Sequence, residues 1–249
     1  MELLELQNVS FSYQDKEILR DVNLLIKHGE FVTILGPSGS GKSTLFQLIG
    51  GLQTPQNGSI ILEGKNITGN RGHISYMPQT PSLLPWRSII QNVVLGQELQ
   101  GKKEYEMADD MLRKAGLIEY RNAFPHELSG GMKQRVAFIR ALLSPQPIIC
   151  LDEPFSALDE LTRQEMQSWL LTIWEQYKKT IIFVTHNIEE ALYLSDRILV
   201  LSDRPARMKQ EVVVPFLRPR KEAILFSDVF LQYKKMIHES LKKEAVNQN

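Results

Sequence analysis

A glycine-rich segment at residues 36–44 has the composition of a phosphate-binding loop. It fits the pattern G-x-x-x-x-G-K-[S/T] and reads Gly36-Pro37-Ser38-Gly39-Ser40-Gly41-Lys42-Ser43-Thr44. Its glycines let backbone N–H groups turn inward around a phosphate, because no Cβ stands in the way. Lys42 supplies a mobile cation for β- and γ-phosphates, and the Ser43 hydroxyl can ligate Mg²⁺. The motif alone indicates a bound nucleotide.

The chain around this loop has the order strand, loop, helix. An apolar strand pattern, Phe31–Leu35, precedes the loop, and an apolar helical pattern, Leu45–Ile49, follows it. A helix that begins at the loop adds the positive end of its dipole to an anion site. At ordinary glycine content a random chain of this length should match the motif roughly once in a hundred, and the correct context lowers that chance further. We therefore expect a working phosphate loop.

A second glycine pair, Gly130–Gly131, lies in the segment Leu128–Arg135. Ser129 is predicted to be the N-cap of a helix that continues to Leu143, and the glycines expose the first N–H groups of that helix. Taken alone, the segment also fits a capped helix with a flexible entry. One nucleotide has no evident need for two such loops on one chain. The second loop is therefore expected to serve a nucleotide held by a second copy.

Two acidic residues follow the apolar run Ile148–Leu151. A carboxylate at the end of a buried strand is costly unless it meets a cation or hydrogen-bond donors, so Asp152 is a candidate Mg²⁺ residue. Glu153 can polarise a water molecule for in-line attack on a γ-phosphate. In isolation this acidic pair could equally cap a helix. Two further candidate residues, His186 and Tyr13, also have ordinary alternatives: His186 could be a core histidine, and Tyr13 could be an aromatic at a strand edge.

Together these segments resemble the ATP-binding-cassette (ABC) ATPases. The run Leu128–Arg135 resembles their signature sequence, and the similarity covers roughly residues 1–205, with the other motifs in the expected order: Tyr13, the phosphate loop, Gln79, Ile148–Glu153, Ser156–Asp159 and His186. The resemblance implies ATP and Mg²⁺ bound by these residues: Tyr13 on the adenine; Gly36, Pro37, Ser38, Gly39, Ser40, Gly41, Lys42, Ser43 and Thr44 around the phosphates; Ser43, Gln79 and Asp152 at Mg²⁺; Ser129, Gly130 and Gly131 at the partner copy's nucleotide; and Glu153, His186, Gln79 and Lys42 in hydrolysis.

Two positions depart from the family pattern. Met132 stands where the family most often has glutamine, and it follows the anion-binding glycines, so hydrolysis need not suffer. Asn187 stands where one group of the family usually has aspartate. That change is mild, because both residue types cap helices.

Short apolar strands alternate with helices along the chain. Strand patterns occur at Leu3–Val9 and Ser59–Leu62 and return at Ile148–Leu151, Ile181–Val184 and Ile198–Leu201. This alternation predicts an α/β fold with a mostly parallel sheet covered by helices, and the helical middle of the chain then reads as an insertion.

Two helices are predicted to have clear apolar faces. The helix Lys103–Ala115 carries Met107, Met111 and Leu112 on one face. A second helix, about Glu160–Tyr177, has aromatic and aliphatic residues at three- and four-residue steps. A stripe at that spacing predicts core packing.

The family resemblance implies a P-loop NTPase (RecA-like) core sheet with an N-terminal antiparallel β-subdomain and an inserted α-helical subdomain. We expect a single ABC ATPase domain over residues 1–249. Its nucleotide-binding core would occupy 1–80 and 146–215, the helical subdomain with the signature motif 81–145, and a charged helical tail 216–249.

The segment Pro81–Arg87 combines two prolines with two leucines and a tryptophan. Prolines oppose a continuous helix, and exposed apolar side chains are unfavourable. The segment therefore either packs internally or borders a groove that receives a helix from a transmembrane partner. Trp and Arg are frequent interface anchors, and the nearness of this loop to Gln79 would join partner contact to γ-phosphate sensing.

Part of this segment, Leu83–Arg87, is similar to one group of ABC import ATPases, those for nitrate, taurine, aliphatic sulfonates and related small solutes. Val184–Leu192 and Asp203-Arg204-Pro205 agree with the same group. Importers of thiamine precursors belong to the same neighbourhood, so the transported solute stays open. The resemblance implies a homodimer with ATP at its interface, permease subunits that dock near Leu83–Arg87, and an extracytoplasmic solute-binding protein as an indirect partner.

Composition limits the other partners and the compartment. The 249 residues have a formal net charge of +0, which argues against nucleic acid as the main partner. The single cysteine, Cys150, is predicted to be a buried apolar residue in a reducing compartment. The acidic start Met1–Glu5 does not suit a signal peptide, and no apolar stretch approaches about 18 residues. We expect a peripheral protein at the cytoplasmic face of the cell membrane.

Other classes account for fewer of these features. An ABC ATPase of DNA repair or translation would carry long coiled-coil insertions or two cassettes. A simple P-loop kinase would leave the second glycine site and Ser156–Asp159 unexplained. We expect no regulatory β-domain after about Val214. Export stays open, because nothing in the nucleotide chemistry fixes the direction of transport.

Overall fold

The structure, a computed structural model, describes residues 2–242. In chain order its strands and helices are β1 Glu2–Tyr13, β2 Lys16–Lys27, β3 Phe31–Leu35, α1 Lys42–Ile49, β4 Asn57–Leu62, β5 Lys65–Asn66, β6 Ser75–Met77, α2 Ile89–Val93, α3 Leu95–Glu98, α4 Tyr105–Lys114, α5 Gly130–Leu142, β7 Ile148–Asp152, α6 Glu160–Tyr177, β8 Thr180–Thr185, α7 Ile188–Leu194, β9 Arg197–Leu201, β10 Met208–Val213 and α8 Asp228–Lys242. Short 3₁₀ turns lie at Ile118–Tyr120, Pro125–Glu127 and Glu222–Phe226.

The described residues form two compact units. Residues 2–74 and 178–242 make the first, and Ser75–Tyr177 makes the second. The finer division expected from the sequence, with a helical subdomain over 81–145, stays a prediction.

The first unit contains an antiparallel sheet with strand order β2-β1-β4-β5. It also contains strands in the order β10-β9-β3-β8, in which β3 is parallel to both β8 and β9 and β10 is antiparallel to β9. Every residue of β3 and β8 is buried, as expected for parallel strands covered on both faces. The predicted α/β fold is confirmed.

Strand register fixes what can meet at the carboxyl edge of these strands. Leu35, the last residue of β3, pairs with Thr185, the last residue of β8. The phosphate loop begins at the residue after Leu35, and His186 follows Thr185. Both therefore leave the sheet from neighbouring positions.

The second unit has an equivalent edge. Strand β6 runs parallel to β7, and Met77 at the end of β6 pairs with Leu151. Gln79 follows the first strand, and Asp152 ends the second. Helices α5 and α6 also pack together here, with the Phe138 and Trp169 rings edge to face at a centroid distance of 5.3 Å.

The apolar face of α4 differs from the prediction. Met111 and Leu112 are buried with Ala108, but Met107 is 42% exposed. Positions 108, 111 and 112 follow the three- and four-residue steps of one helix face, and Met107 lies beside that face. The helix predicted at Glu160–Tyr177 is confirmed as α6, and its Met166, Leu170, Ile173 and Trp174 are buried.

The C-terminal helix α8 has a packed face as well as charged ones. Phe230 and Ile237 are buried in a cluster with residues of α7, β9 and β10. On a charged face of α8, Lys234 pairs with Glu189 on α7. The last part of the predicted helical tail, 243–249, lies outside the described residues. None of the helices within residues 2–242 combines the length and the apolar character needed to cross a membrane.

Candidate nucleotide-binding site

The phosphate loop connects β3 to α1 through glycines in left-handed conformations. Gly39 has φ of 78° and Gly41, which caps α1, has φ of 111°. A Cβ built on Gly41 would lie 2.8 Å from Ile18 Cγ2 and 3.1 Å from Leu19 Cδ2. Glycine is required at this position both by the backbone conformation and by the close approach of β2. The loop is therefore held in a tight curve at the start of a helix.

Lys42 folds back across this curve. Its Nζ donates hydrogen bonds to the carbonyl oxygens of Gly36, at 2.9 Å, and Pro37, at 2.8 Å, and the side chain is buried. Ser40 Oγ is buried, and no hydrogen-bond partner lies within reach of it in residues 2–242. A cation and an unsatisfied hydroxyl thus face the same loop, which fits a phosphate oxygen. Ser43 is exposed, whereas Thr44 is buried in the first turn of α1.

Tyr13 lies at the end of β1 with 43% of its surface exposed. Its ring packs edge to face on Phe11, with centroids 4.8 Å apart, and its hydroxyl donates to Gln47 Oε1 at 3.0 Å. Gln47 belongs to α1, the helix that begins at the phosphate loop. An open aromatic face near that helix suits stacking on adenine, and this role stays a prediction.

His186 is exposed at the end of β8, so the alternative of a core histidine does not hold. The following residue, Asn187, caps α7 by accepting hydrogen bonds from the N–H groups of Glu189, at 2.8 Å, and Glu190, at 3.3 Å. This confirms the helix-capping role expected for the asparagine. The γ-phosphate role of His186 stays a prediction.

In the second unit, Asp152 is a buried carboxylate at the end of β7. The Tyr76 hydroxyl on the neighbouring strand β6 donates to Asp152 Oδ2 at 3.0 Å. Burial and the negative charge of Asp152 raise the pKa of Tyr76 above its usual value. The phenol is therefore a neutral donor that helps to hold a charged carboxylate in place.

Gln79 is hydrogen-bonded to the turn that begins at Glu153. Gln79 Nε2 donates to Ser156 Oγ at 3.0 Å, and that hydroxyl donates to the Glu153 carbonyl at 2.9 Å. Glu153 itself has φ of 43°, a left-handed conformation that is uncommon for glutamate. Backbone strain of this kind clusters at functional sites. The chain turns sharply after β7, and Glu153 starts no helix, so the helix-cap alternative for this pair does not hold.

The signature segment has the geometry expected from the sequence. Ser129 is the N-cap of α5, and its side chain accepts a hydrogen bond from the Met132 N–H at 3.3 Å. Gly130 and Gly131 form the first turn, and a Cβ on Gly130 would meet no described atom within 4 Å. Gly130 and Gln79 both line a cleft of about 330 Å³.

Two residues of this unit were not predicted as site residues. Tyr76 holds Asp152, and the buried Gln134 side chain on α5 donates to the Pro154 carbonyl, just after Glu153. Tyr76 precedes Gln79 in a short strand, which is a weak local signal. Gln134 lies within the signature segment, but its target follows a different strand, so sequence spacing gave no indication of it.

Comparison with known proteins identifies the family. The ABC transporter family model matches residues 19–156. The formylaminopyrimidine import ATP-binding protein ThiZ of Halalkalibacterium halodurans is 43% identical over 86% of this chain and 85% of its own. The nitrate import ATP-binding protein NrtD of Synechocystis is 43% identical over 79% of this chain and 75% of its own. The taurine import ATP-binding protein TauB of Escherichia coli O157:H7 is 39% identical over 87% and 86%.

Solved structures give the same fold. A dimeric ATP-binding cassette in a post-hydrolysis state, bound to ADP and Pi, has a TM-score of 0.72 and 32% identity, and the match covers 86% of this chain and all of that one. A second dimeric structure of that cassette has a TM-score of 0.75 over the same shares.

A phosphate loop at the start of α1 and a capped glycine pair at the start of α5 define an ATP-binding α/β protein. The family match and the identities define it further: the chain belongs to the ABC transporter family. It is an ATPase subunit that couples ATP hydrolysis to transport.

Proposed function

We propose that this chain is the ATP-hydrolysing subunit of an ABC importer and works as a pair of identical copies. Each phosphate loop would bind ATP, and each signature helix α5 would complete the site of the other copy. Closing and reopening of the pair would drive permease subunits that receive solute from an extracytoplasmic binding protein. The chain would then lie at the cytoplasmic face of the membrane. The observation that carries this proposal is the presence of two separate anion-binding helix starts on one chain.

The chemistry assigned to the site residues is water attack on the γ-phosphate of ATP. Lys42 would neutralise phosphate charge, and its ammonium is already held among carbonyl oxygens, so little reorganisation is needed. The Glu153 carboxylate would accept a proton from the attacking water. His186 and Gln79 would contact the γ-phosphate and the water, and ADP and phosphate would be released.

The residues proposed for Mg²⁺ are suitable hard-oxygen donors. Asp152 is a buried carboxylate held by the Tyr76 hydroxyl, and Ser43 presents an exposed hydroxyl in the first turn of α1. Gln79 offers an amide oxygen, since its Nε2 donates to Ser156. Mg²⁺ would supply charge neutralisation at the β- and γ-phosphates.

Pairing is supported by the signature segment itself. Backbone N–H groups at the start of α5 are directed by the Ser129 cap, and Gly130 leaves open space beside them. An anion site of this kind is useful only if a nucleotide reaches it. In the related cassette whose structure holds ADP and Pi, the protein is a dimer.

The loop Pro81–Arg87 is the proposed contact with the permease. The buried Asn92 side chain holds it rigidly: Oδ1 accepts from the Leu84 N–H at 2.8 Å, and Nδ2 donates to the carbonyls of Leu84, at 3.1 Å, and Arg87, at 3.0 Å. Trp86 nevertheless points outward, with 71% of its surface exposed. A rigid backbone that presents an unburied tryptophan is typical of an interface anchor rather than of internal packing.

The same loop is tied to the signature helix within this unit. Arg140 on α5 donates from Nη1 to the Ser82 carbonyl at 2.9 Å and from Nη2 to the Pro81 carbonyl at 3.0 Å. Burial lowers the pKa of Arg140 from its ordinary value, because it disfavours the charged form. Both contacts support a loop that moves with the helix carrying Gly130 and Gly131.

The relatives support import as the direction of transport. Their names assign formylaminopyrimidine, nitrate, taurine and aliphatic sulfonates as imported solutes. We propose a small solute of this range, either a nitrate-, sulfonate- or taurine-like anion or a thiamine precursor. The ATPase subunit does not touch the solute, and ligand screening of the binding protein would identify it.

The proposed function can be tested with Glu153→Gln. Glutamine has nearly the same shape but cannot accept the proton of the attacking water, so ATP binding should persist while turnover falls by about 10² or more. With hydrolysis blocked, ATP should also hold two copies together. Turnover is measured as phosphate release, and pairing by size-exclusion chromatography with light scattering, with and without ATP.

A matched control is Glu160→Gln, the same charge change on an exposed residue at the start of α6. It should turn over ATP like the unmodified chain. Unchanged turnover in Glu153→Gln would remove Glu153 from the role of base. A chain that stays monomeric with ATP under all conditions would count against paired hydrolysis.

A further inference from the structure

The turn between β9 and β10, residues 202–207, contains the sequence Asp203-Arg204-Pro205, to which the proposed mechanism gives no role. The turn is closed by two hydrogen bonds. The Ser202 N–H donates to the Arg207 carbonyl, and the Arg207 N–H donates to Ser202 Oγ, both at 3.0 Å. It is therefore a defined turn and not an open loop.

Strand β2 holds this turn beside the phosphate loop. The Ala206 N–H donates to the Ile18 carbonyl at 2.8 Å, and the Arg20 N–H donates to the Ala206 carbonyl at 3.0 Å. Ile18 is also the residue that a Cβ on Gly41 would strike. The turn and the phosphate loop thus share one rigid neighbour, and all three belong to the same unit.

This arrangement brings the Arg204 guanidinium to the loop. Arg204 Nη2 lies 3.9 Å from the position that a Cβ would take on Gly39. The side chain is exposed, and across residues 2–242 no carboxylate lies within salt-bridge distance of it. Two other arginines nearby do have an acidic neighbour, Glu17, whose pKa is lowered mainly by a hydrogen bond from Arg20 and further by the charge of Arg207.

The position of Arg204 along the loop indicates which phosphates it would reach. The lysine of a phosphate loop serves the β- and γ-phosphates. Here that ammonium lies against the carbonyls of Gly36 and Pro37, which are three and two residues before Gly39 in the chain. A guanidinium beside Gly39 therefore lies toward the terminal phosphates rather than toward the ribose. Its planar fork of donors matches phosphate oxygens.

We propose that Arg204 is a further nucleotide-binding residue, which donates hydrogen bonds to the terminal phosphates of ATP from outside the phosphate loop. The proposal rests on the ATP site proposed above and adds the Arg204 guanidinium to it. A charged hydrogen bond of this kind should give ATP an affinity gain of about tenfold or more. The gain should be smaller for ADP, which lacks the γ-phosphate, and close to none for AMP.

The experiment compares the affinities of ATP, ADP and AMP for Arg204→Ala, Arg204→Gln and Arg204→Lys by calorimetric titration with Mg²⁺. We expect ATP affinity to fall about tenfold in the alanine and glutamine variants and less in the lysine variant, which keeps the charge but loses the fork. Arg207→Ala removes the same charge from the same turn, and it should stay within about twofold of the unmodified chain. Glutamine preserves most of the side-chain volume, so it separates binding from folding.

Two results would overturn the proposal. One is ATP affinity in Arg204→Gln equal to that of the unmodified chain. The other is an equal loss in Arg204→Gln and Arg207→Ala, which would indicate general electrostatic attraction. Lys42→Ala separates this proposal from the site on which it rests. If Lys42→Ala also binds ATP normally, the phosphate loop itself is wrongly assigned. If the Arg204 variants bind ATP normally but Lys42→Ala does not, only the role of Arg204 is wrongly assigned.

Discussion

Single residues at the candidate site are held by donors that the motifs do not contain. Asp152 would be a costly buried charge if no hydrogen-bond donor met it. The Tyr76 hydroxyl is one such donor, at 3.0 Å from Asp152 Oδ2. Because burial and Asp152 both raise the pKa of Tyr76, this phenol remains a proton donor at neutral pH. Cys150 on the same strand has its pKa raised by burial, which fits the predicted role of an inert apolar residue.

Asp159 gives a residue-level prediction about acid stability. Its Oδ1 accepts from the Thr162 N–H at 3.0 Å and its Oδ2 from the Thr162 hydroxyl at 2.7 Å, at the start of α6. These hydrogen bonds, the backbone one first, lower the pKa of Asp159 below its ordinary value of 3.8. The resulting stabilisation is fully present above the unfolded-state pKa and is lost as the pH falls through the lower folded-state pKa.

Asp159→Asn should therefore remove the pH-dependent contribution of Asp159 to stability. It keeps a capping side chain, since asparagine is an equally good N-cap. The Tm of the unmodified chain should exceed that of the variant at about pH 7, and the gap should narrow toward about pH 2. Thermal unfolding followed by circular dichroism over that range checks it. A gap that is constant with pH would show that the charge of Asp159 does not contribute.

At the scale of elements, the buried parallel strands could be predicted because they are continuous apolar runs. β3, β7, β8 and β9 all lie where such runs were found. Four strands were missed. β2 and β10 carry several charged and polar residues and form no continuous apolar run, and β5 and β6 are only two and three residues long. The helix α4 was found, and Met111 and Leu112 of its predicted face are buried, but Ala108 is buried in place of Met107. Both residues are apolar, so only packing decides between them.

The phosphate loop as an element depends on Gly41, and this can be tested against a second glycine. Gly41→Ala should weaken ATP binding by about tenfold or more, because a Cβ would lie 2.8 Å from Ile18 Cγ2 in a left-handed conformation and would shift the start of α1. ATP affinity by titration and Tm by thermal unfolding are the measurements.

Gly64→Ala is the matched control, because Gly64 has φ of 75° and a Cβ there would meet nothing within 4 Å. It carries the backbone penalty without the clash, so it should cost about 1 kcal/mol of stability and leave ATP affinity unchanged. Equal ATP affinity in the two variants would mean that the loop tolerates displacement at its junction with α1.

For the whole molecule, the candidate site was predictable where its chemistry lies in one local segment. The phosphate loop and the Ser129-capped glycine pair would each bind anions through consecutive backbone groups, so their sequences suffice to indicate them. Tyr76 is 76 positions from Asp152, and Arg204 is far along the chain from Gly39. Contacts between residues that are distant in sequence depend on strand order and on the hydrogen bonds that hold turns in place, and no local sequence pattern encodes either.

The proposed transmission of motion to a permease is a property of the whole molecule, and it rests on the loop Pro81–Arg87. This loop has two fixed anchors, Asn92 at its base and Arg140 on α5, so a displacement of the signature helix would carry the loop with it. Trp86 projects from that rigid frame with most of its surface in solvent. A pre-organised apolar anchor loses little entropy on binding, which favours a specific docked partner.

Trp86→Ala should therefore weaken assembly with the permease subunits by about tenfold or more, as truncation of a tryptophan anchor commonly does. ATP affinity and Tm should stay unchanged, because the side chain contributes little to folding when it is 71% exposed. The assay is co-purification from membranes that contain the permease, with ATP-driven solute uptake in vesicles as a second readout. Leu217→Ala, which truncates an apolar side chain that is 89% exposed in the other unit, is the control and should assemble normally. Normal assembly of Trp86→Ala would assign the permease contact to a different surface. An equal loss of assembly in Trp86→Ala and Leu217→Ala would indicate nonspecific association through exposed apolar residues.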